Sequence, residues 1–158
     1  MSDQIKNIFI SHVSKDDQGL TDLKELLKKN GMEARDSSIT SEKPNNAKEE
    51  EYIKSKILKP RITWAGCMIV YISPETKDSE WVNWEIQEAN KQDMTIIGVW
   101  ERGAKGCEIP EALDQYGHAL VGWNAEKIIN AINGECDGFE YQDGTPMPKR
   151  TIRRHPCG

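Results

Sequence analysis

What the sequence lacks narrows it first. No apolar run approaches the roughly 20 residues of a membrane-crossing helix; the longest, about residues 67–72, has the length of a strand. The opening Met-Ser-Asp-Gln carries no basic start followed by an apolar stretch, so neither export nor membrane insertion is expected. The four cysteines, Cys67, Cys107, Cys136 and Cys157, form no C-x-x-C pair and no zinc-like spacing. No metal site is therefore expected, and reduced thiols in a cytoplasm fit best. Cations are fewer than anions, 21 against 26, with a net charge of -5 and a pI near 5.3. That balance removes the general attraction to phosphates on which nucleic-acid binding rests. The one basic cluster, Lys149, Arg150, Arg153 and Arg154, lies beside Glu135, Asp137, Glu140 and Asp143 and reads as a solvated terminus. There is no internal repeat, and no G-x-G-x-x-G follows the first strand, where the chain has Ser-His-Val-Ser-Lys-Asp. Hydride transfer on a dinucleotide fold is not expected.

What is present is enough for one compact domain. The chain has 158 residues, 37% of them hydrophobic and 30% charged, a balance that buries a core beneath a solvated surface. Residues 7–12, Asn-Ile-Phe-Ile-Ser-His, form a short apolar run that turns polar, as a buried strand does. Ser14 to Asp17 looks like a capping box, and Leu20, Leu23, Leu26 and Leu27 follow at helical spacing with Asn30-Gly31 as the stop. Residues 32–35 are a weaker strand leading into a polar loop over 36–46. A helix over about 47–58 is supported by Ile53 and Ile57 and by a break at Pro60. Residues 66–73 are the strongest strand, a continuous Cys-Met-Ile-Val-Tyr-Ile run without alternation, which implies burial on both faces and a central place in a parallel sheet. Ser79 caps a helix to about Gln92, residues 94–100 form another strand, and 119–123 a last short one. Asn124 then caps a helix carrying Ile128, Ile129 and Ile132 that ends at Gly134, beyond which the chain looks irregular.

Five strands alternating with helices predict an α/β, three-layer sandwich around a five-stranded parallel sheet. We expect residues 1–134 to form the domain and 135–158 an extension packed on it or trailing from it. Ligands of such sheets bind beyond the carboxyl ends of the strands. That rule gathers Ser11 and His12, then Asp36, Ser37 and Ser38, and the segment 73–85. On the helix after the central strand, Val82, Ile86 and Ala89 form a core-facing stripe. Trp81 and Glu85, four apart, define another face where an aromatic plane and a carboxylate can meet one ligand. Trp84, Trp100 and Trp123 are expected to pack, and Glu88 to face solvent.

With these residues in view, the sequence resembles a known family. Phe-Ile-Ser-His at 9–12, Arg35-Asp36 entering a loop, Ile72-Ser73-Pro74, and Ser79-Glu-Trp81-Val-x-Trp-Glu85-Ile-x-x-Ala89 look like a Toll/interleukin-receptor-like (TIR-like) domain. More narrowly they look like the bacterial TIR-like group that includes the Thoeris antiphage proteins, over about residues 7–133. The resemblance implies a flavodoxin-like sheet and, in the enzymatic members, a glutamate on the helix after the third strand that NAD cleavage requires. The matching position is Glu85. It also implies that Phe9, Ser11 and His12, with Asp36, Ser37, Ser38 and Asn46 of the loop, line an NAD site with Trp81 beside it. The Pro-Gly of many TIR loops is absent from 36–46, so no mode of self-association carries over.

One carboxylate suffices for the implied chemistry, because nicotinamide leaves a cationic pyridinium as a neutral molecule and needs no proton; ordinary glycosides need two carboxylates. An ionised Glu85 would stabilise the oxocarbenium-like sugar and accept hydrogen bonds from its hydroxyls. NAD is then a substrate and no cofactor is expected. By the resemblance, the ADP-ribosyl group is cyclised or passed to a small acceptor, free histidine in one branch, and the product activates a separate effector. Self-assembly or an outside cue such as a phage protein would switch the enzyme on. Two other readings are open. One is a non-enzymatic TIR-like scaffold, against which Glu85 and Trp81 count. The other is a receiver domain, whose acceptor aspartate is replaced here by Ser73-Pro74.

Overall fold

The computed structural model describes residues 7–12, 17–36, 59–73, 76–77, 79–101, 109–134 and 138–140. Five strands, β1 (Asn7–Ser11), β2 (Glu33–Asp36), β3 (Cys67–Ile72), β4 (Thr95–Trp100) and β5 (Ala119–Val121), make one sheet in the order β2-β1-β3-β4-β5. Every neighbouring pair is parallel, with Ile10 opposite Asp36, Ser11 opposite Val70, and Ile72 opposite Trp100. The five described helices are α1 (Asp17–Lys29), α2 (Lys59–Trp64), α3 (Glu80–Lys91), α4 (Glu111–Tyr116) and α5 (Ala125–Ile132).

The pleat sorts the strand residues into two cores. On one face Ile8, Ile10, Cys67, Ile69, Tyr71, Ile97 and Val99 pack against Leu20, Leu23 and Leu27 of α1 and Ile128 and Ile132 of α5. On the other, Phe9, Met68, Val70, Ile72, Ile96 and Trp100 meet Ile62 of α2, Val82, Ile86 and Ala89 of α3, and Ala112 and Leu113 of α4. The period of two therefore gives the three layers directly. All six residues of β3 are buried, as a central parallel strand requires. Both helix stops expected at glycine use the left-handed region, with φ +79 at Gly31 and +80 at Gly134. At Gly19 the reason for glycine is space: a Cβ there would overlap the Tyr71 hydroxyl, and the Tyr71 ring in turn meets Trp123 edge-on at 6.2 Å.

Some expectations change, and the structure adds elements the sequence did not show. The helix expected over 47–58 lies outside the described residues, and Pro60 is the second residue of the described helix α2, a first-turn position that proline suits. The last strand ends at Val121, two residues earlier than its apolar run. Helix α4 was not visible in the sequence. Its cap residue Pro110 offers no side chain, and the free N–H of Ala112 is met instead by Asn83 Oδ1 of α3 at 3.0 Å. Beyond Gly134 the chain is not simply irregular. Residues 138–140 run parallel to β5, with Leu120 N–H donating to the Gly138 carbonyl (3.0 Å) and Glu140 N–H to that of Leu120 (2.9 Å). Phe139 is buried in the same core as α3, and the Trp100 indole N–H donates to the Glu140 carbonyl at 2.8 Å. Glu140, expected in a solvated acidic stretch, is half-buried and paired with Lys127 at 3.1 Å. The cluster Lys149 to Arg154 lies outside the described residues.

Candidate functional site

At the carboxyl end of the sheet β1 finishes with Ser11, followed by His12, and β3 finishes before Ser73. Along β1, Phe9 and Ser11 point to the face covered by α2 and α3, while Ile8 and Ile10 point to α1 and α5. Ser11 therefore aims at α3, and it meets Glu85: Ser11 Oγ donates to Glu85 Oε1 at 2.6 Å, across 74 residues of sequence. Both side chains are completely buried, and His12 is 6% exposed.

The position of Glu85 corrects its expected place. Val82, Glu85, Ile86 and Ala89 fall at i, i+3, i+4 and i+7, which is a full core-facing stripe, and all four are 0% exposed. The carboxylate occupies a core position of an amphipathic helix. Burying a carboxylate is costly unless hydrogen bonds meet it, and the Ser11 hydroxyl supplies one to Glu85 Oε1. Trp81, one turn earlier, is half-buried and packs against the edge of this core.

The strand-to-helix connection that delivers Glu85 is held by short-range bonds. Ser73 N–H donates to Thr76 Oγ1 (2.8 Å), Thr76 N–H to the Ser73 carbonyl (3.1 Å), and Ser79 N–H to the Thr76 carbonyl (3.1 Å). Ser79 then caps α3 by accepting from Val82 N–H at 3.1 Å, as its residue type predicts. Asn83 donates to the Ser79 carbonyl at 3.0 Å while capping α4, so one side chain ties the first turn of the site helix to its neighbour. Nothing in the local pattern of the sequence distinguished Asn83.

Of the other site residues expected, Phe9 lies wholly within the core and backs Ser11 from below, with no exposed surface of its own. Asp36 ends β2 beside Ile10, at the same edge of the sheet; Ser37, Ser38 and Asn46 lie outside the described residues. Glu88, expected in solvent, is 5% exposed, accepting from Gln92 Nε2 at 3.1 Å and lying 4.0 Å from Lys59 Nζ. Trp100 is buried, and Trp84 and Trp123 are partly buried against the two cores, as expected. The Cys67 thiol is pushed up to about 12 by burial, so it stays protonated and is no rival nucleophile. Among the described residues no group of three His, Cys, Asp or Glu side chains could hold a metal ion, and no helix is long and apolar enough to cross a membrane.

The profile of the family "Thoeris protein ThsB, TIR-like domain" matches residues 9–106, more than half of the chain and the part that contains Ser11 and Glu85. No curated protein matches the sequence. Among solved structures, the chain is similar to the TIR domain of the Toll-related receptor TRR-2 from Hydra magnipapillata. That match has a TM-score of 0.51 and 17% identity, over 80% of this chain and 91% of that one. It is likewise similar to the CMP N-glycosidase BcmB of Clostridium botulinum, with TM-score 0.51 and 14% identity over 81% of this chain and 99% of that one. A looser match, TM-score 0.43 at 15% identity, covers 60% of this chain and 57% of a TIR-domain chain of the activated Roq1 resistosome. At these identities the likeness is one of fold.

Proposed function

The chain belongs to the Thoeris ThsB TIR-like domain family, and on that premise we propose that it consumes NAD, breaking the bond between nicotinamide and ribose to make an ADP-ribose-derived nucleotide signal in antiphage defence. The observation that carries this reading is the fully buried Glu85 at the carboxyl edge of the sheet, its Oε1 held by Ser11 Oγ at 2.6 Å. In the proposed reaction the C1′–N bond breaks and nicotinamide departs with the bonding pair as a neutral molecule. The positive charge left on the ribose is stabilised by the Glu85 carboxylate in a water-poor setting, where a fixed charge acts strongly. Water, a nitrogen of the adenine base, or a second small molecule then takes the sugar carbon. Cleavage of an N-glycosidic bond is also what the name of the Clostridium botulinum relative gives for that protein, on a CMP substrate.

A carboxylate with no exposed surface cannot touch NAD in the conformation described. Turnover thus needs the buried contact between β1 and α3 to become accessible, and basal activity is low until self-association or an activating partner favours that form. The product is the messenger to a separate effector, and the setting is the cytoplasm.

The test is to incubate the purified chain with NAD, alone and with lysate of phage-infected cells, and to follow nicotinamide and ADP-ribosyl products by mass spectrometry for the wild type and Glu85→Gln. Nicotinamide release that disappears in the variant supports the reading and identifies the product. Absence of turnover under every activating condition would replace it with a TIR-like interaction module.

A further inference from the structure

We propose that Ser11 is a positioning residue that holds the Glu85 carboxylate in register, and that it is not a ligand of the substrate. The proposal rests on the N-glycosidic reading above. A serine hydroxyl has one proton, and here that proton is committed to Glu85 Oε1. The bond is short, at 2.6 Å, and ties the hydroxyl of the strand directly to the carboxyl group of the helix.

The two partners differ in freedom. Ser11 stands on a strand paired on both sides, by β2 and β3, so its backbone is fixed. Glu85 hangs from a helix by a side chain with three rotatable bonds. A bond from the strand residue to the longer helix side chain helps to set where the carboxylate points, and catalysis is sensitive to that direction at the scale of an ångström. Phe9, two residues before Ser11 on the same face of β1, is buried in the core against which α3 also packs.

The experiment uses the full chain with NAD as the probe. Ser11→Ala is expected to lower kcat by about tenfold or more, with KM and the Kd for NAD by calorimetry within about twofold of the wild type, the signature of an interaction that matters only in the transition state. Ser11→Thr keeps the hydroxyl and is expected to recover most of kcat; it also serves if the alanine variant folds poorly. In a Glu85→Gln background, where the residual rate is compared, Ser11→Ala should cost nothing further, because the group it positions is gone. A raised KM or Kd at unchanged kcat, or the same loss in both backgrounds, would make Ser11 a substrate ligand and overturn the proposal.

Failure of the NAD reading is separable. If the wild type turns over no NAD under any activating condition, that reading falls and the catalytic purpose of the pair with it. The pairing itself is then judged by urea unfolding of the wild type, the two single variants and the double variant. Additive shifts in midpoint overturn it, and a double variant no worse than Glu85→Gln sustains it.

Discussion

Two carboxylates three residues apart on α3 are both buried, and they are buried differently. Glu88 is met by the amide of Gln92 on its own helix and by the exposed ammonium of Lys59, an arrangement at the rim of the fold. Glu85 is met from the sheet, by a neutral hydroxyl on a strand 74 residues away, at the edge where parallel sheets place their ligands. Burial alone therefore does not single out the carboxylate proposed to act; its partner and its place in the fold set Glu85 apart from Glu88. Glu88 has an exposed ammonium 4.0 Å away and an amide on its own helix, whereas Glu85 takes a hydrogen bond from a hydroxyl fixed on the sheet.

The largest expected effect breaks the comparison directly. Glu85→Gln should lower NAD turnover by about 100-fold or more, corresponding to roughly 3 kcal/mol of lost transition-state stabilisation. Glu88→Gln should change it by less than about threefold. Nicotinamide release by the two variants under the same activating condition is the measurement. Similar losses would mean that the two carboxylates work together.

A second substitution sharpens the contrast between site and frame. Phe139 lies outside the matched family segment yet fills the core beneath α4 and Leu120. Phe139→Ala should cost about 3 kcal/mol of stability, the usual loss for a large buried ring. Turnover per folded molecule should stay near that of the wild type, with denaturant unfolding giving the first number and active-site-normalised kinetics the second. A wild-type midpoint would show that residues 138–140 trail from the domain instead of completing it.

Much of this was legible beforehand, for identifiable reasons. The unbroken apolar run of β3, the leucines of α1, and the caps Ser79 and Asn124 are local signals, and the fold uses each as read. The burial of Glu85 was also legible, since 82, 85, 86 and 89 have the spacing of a core stripe; pairing Glu85 with Trp81 on a separate face hid it. Helix α4 was not readable, because six residues with an empty proline cap do not nucleate alone and draw their support from Asn83 on another helix. The pairing of 138–140 with β5 is likewise tertiary, and three residues carry no period to detect. The burial of Glu88 was missed for the same reason: its partner Lys59 lies 29 residues upstream on another helix, and no local pattern joins the two.

Asn83 gives the third, smaller effect. It accepts from Ala112 N–H and so supplies the cap that Pro110 cannot. Asn83→Ala should cost about 1 kcal/mol by thermal or denaturant unfolding, the scale of a lost helix cap. Because Asn83 also ties to the Ser79 carbonyl at the start of the site helix, kcat should fall more than KM rises. A stability loss without any kinetic change would confine Asn83 to the frame.

The smallest effect concerns the cation that separates the two glutamates. Lys59 reaches Glu88 at 4.0 Å with more than half of its side chain in solvent, so water and salt screen the pair and little of its attraction survives as stability. Lys59→Met, which keeps the apolar stem and removes the charge, should shift the unfolding free energy by no more than about 0.5 kcal/mol, and the shift should shrink further in high salt. A loss of several kcal/mol would mean that Glu88 depends on Lys59 as a buried ion depends on its partner. Glu88 would then stand closer to Glu85 than its exposed partner implies, and the division of α3 into a working carboxylate and a structural one would have to be drawn elsewhere.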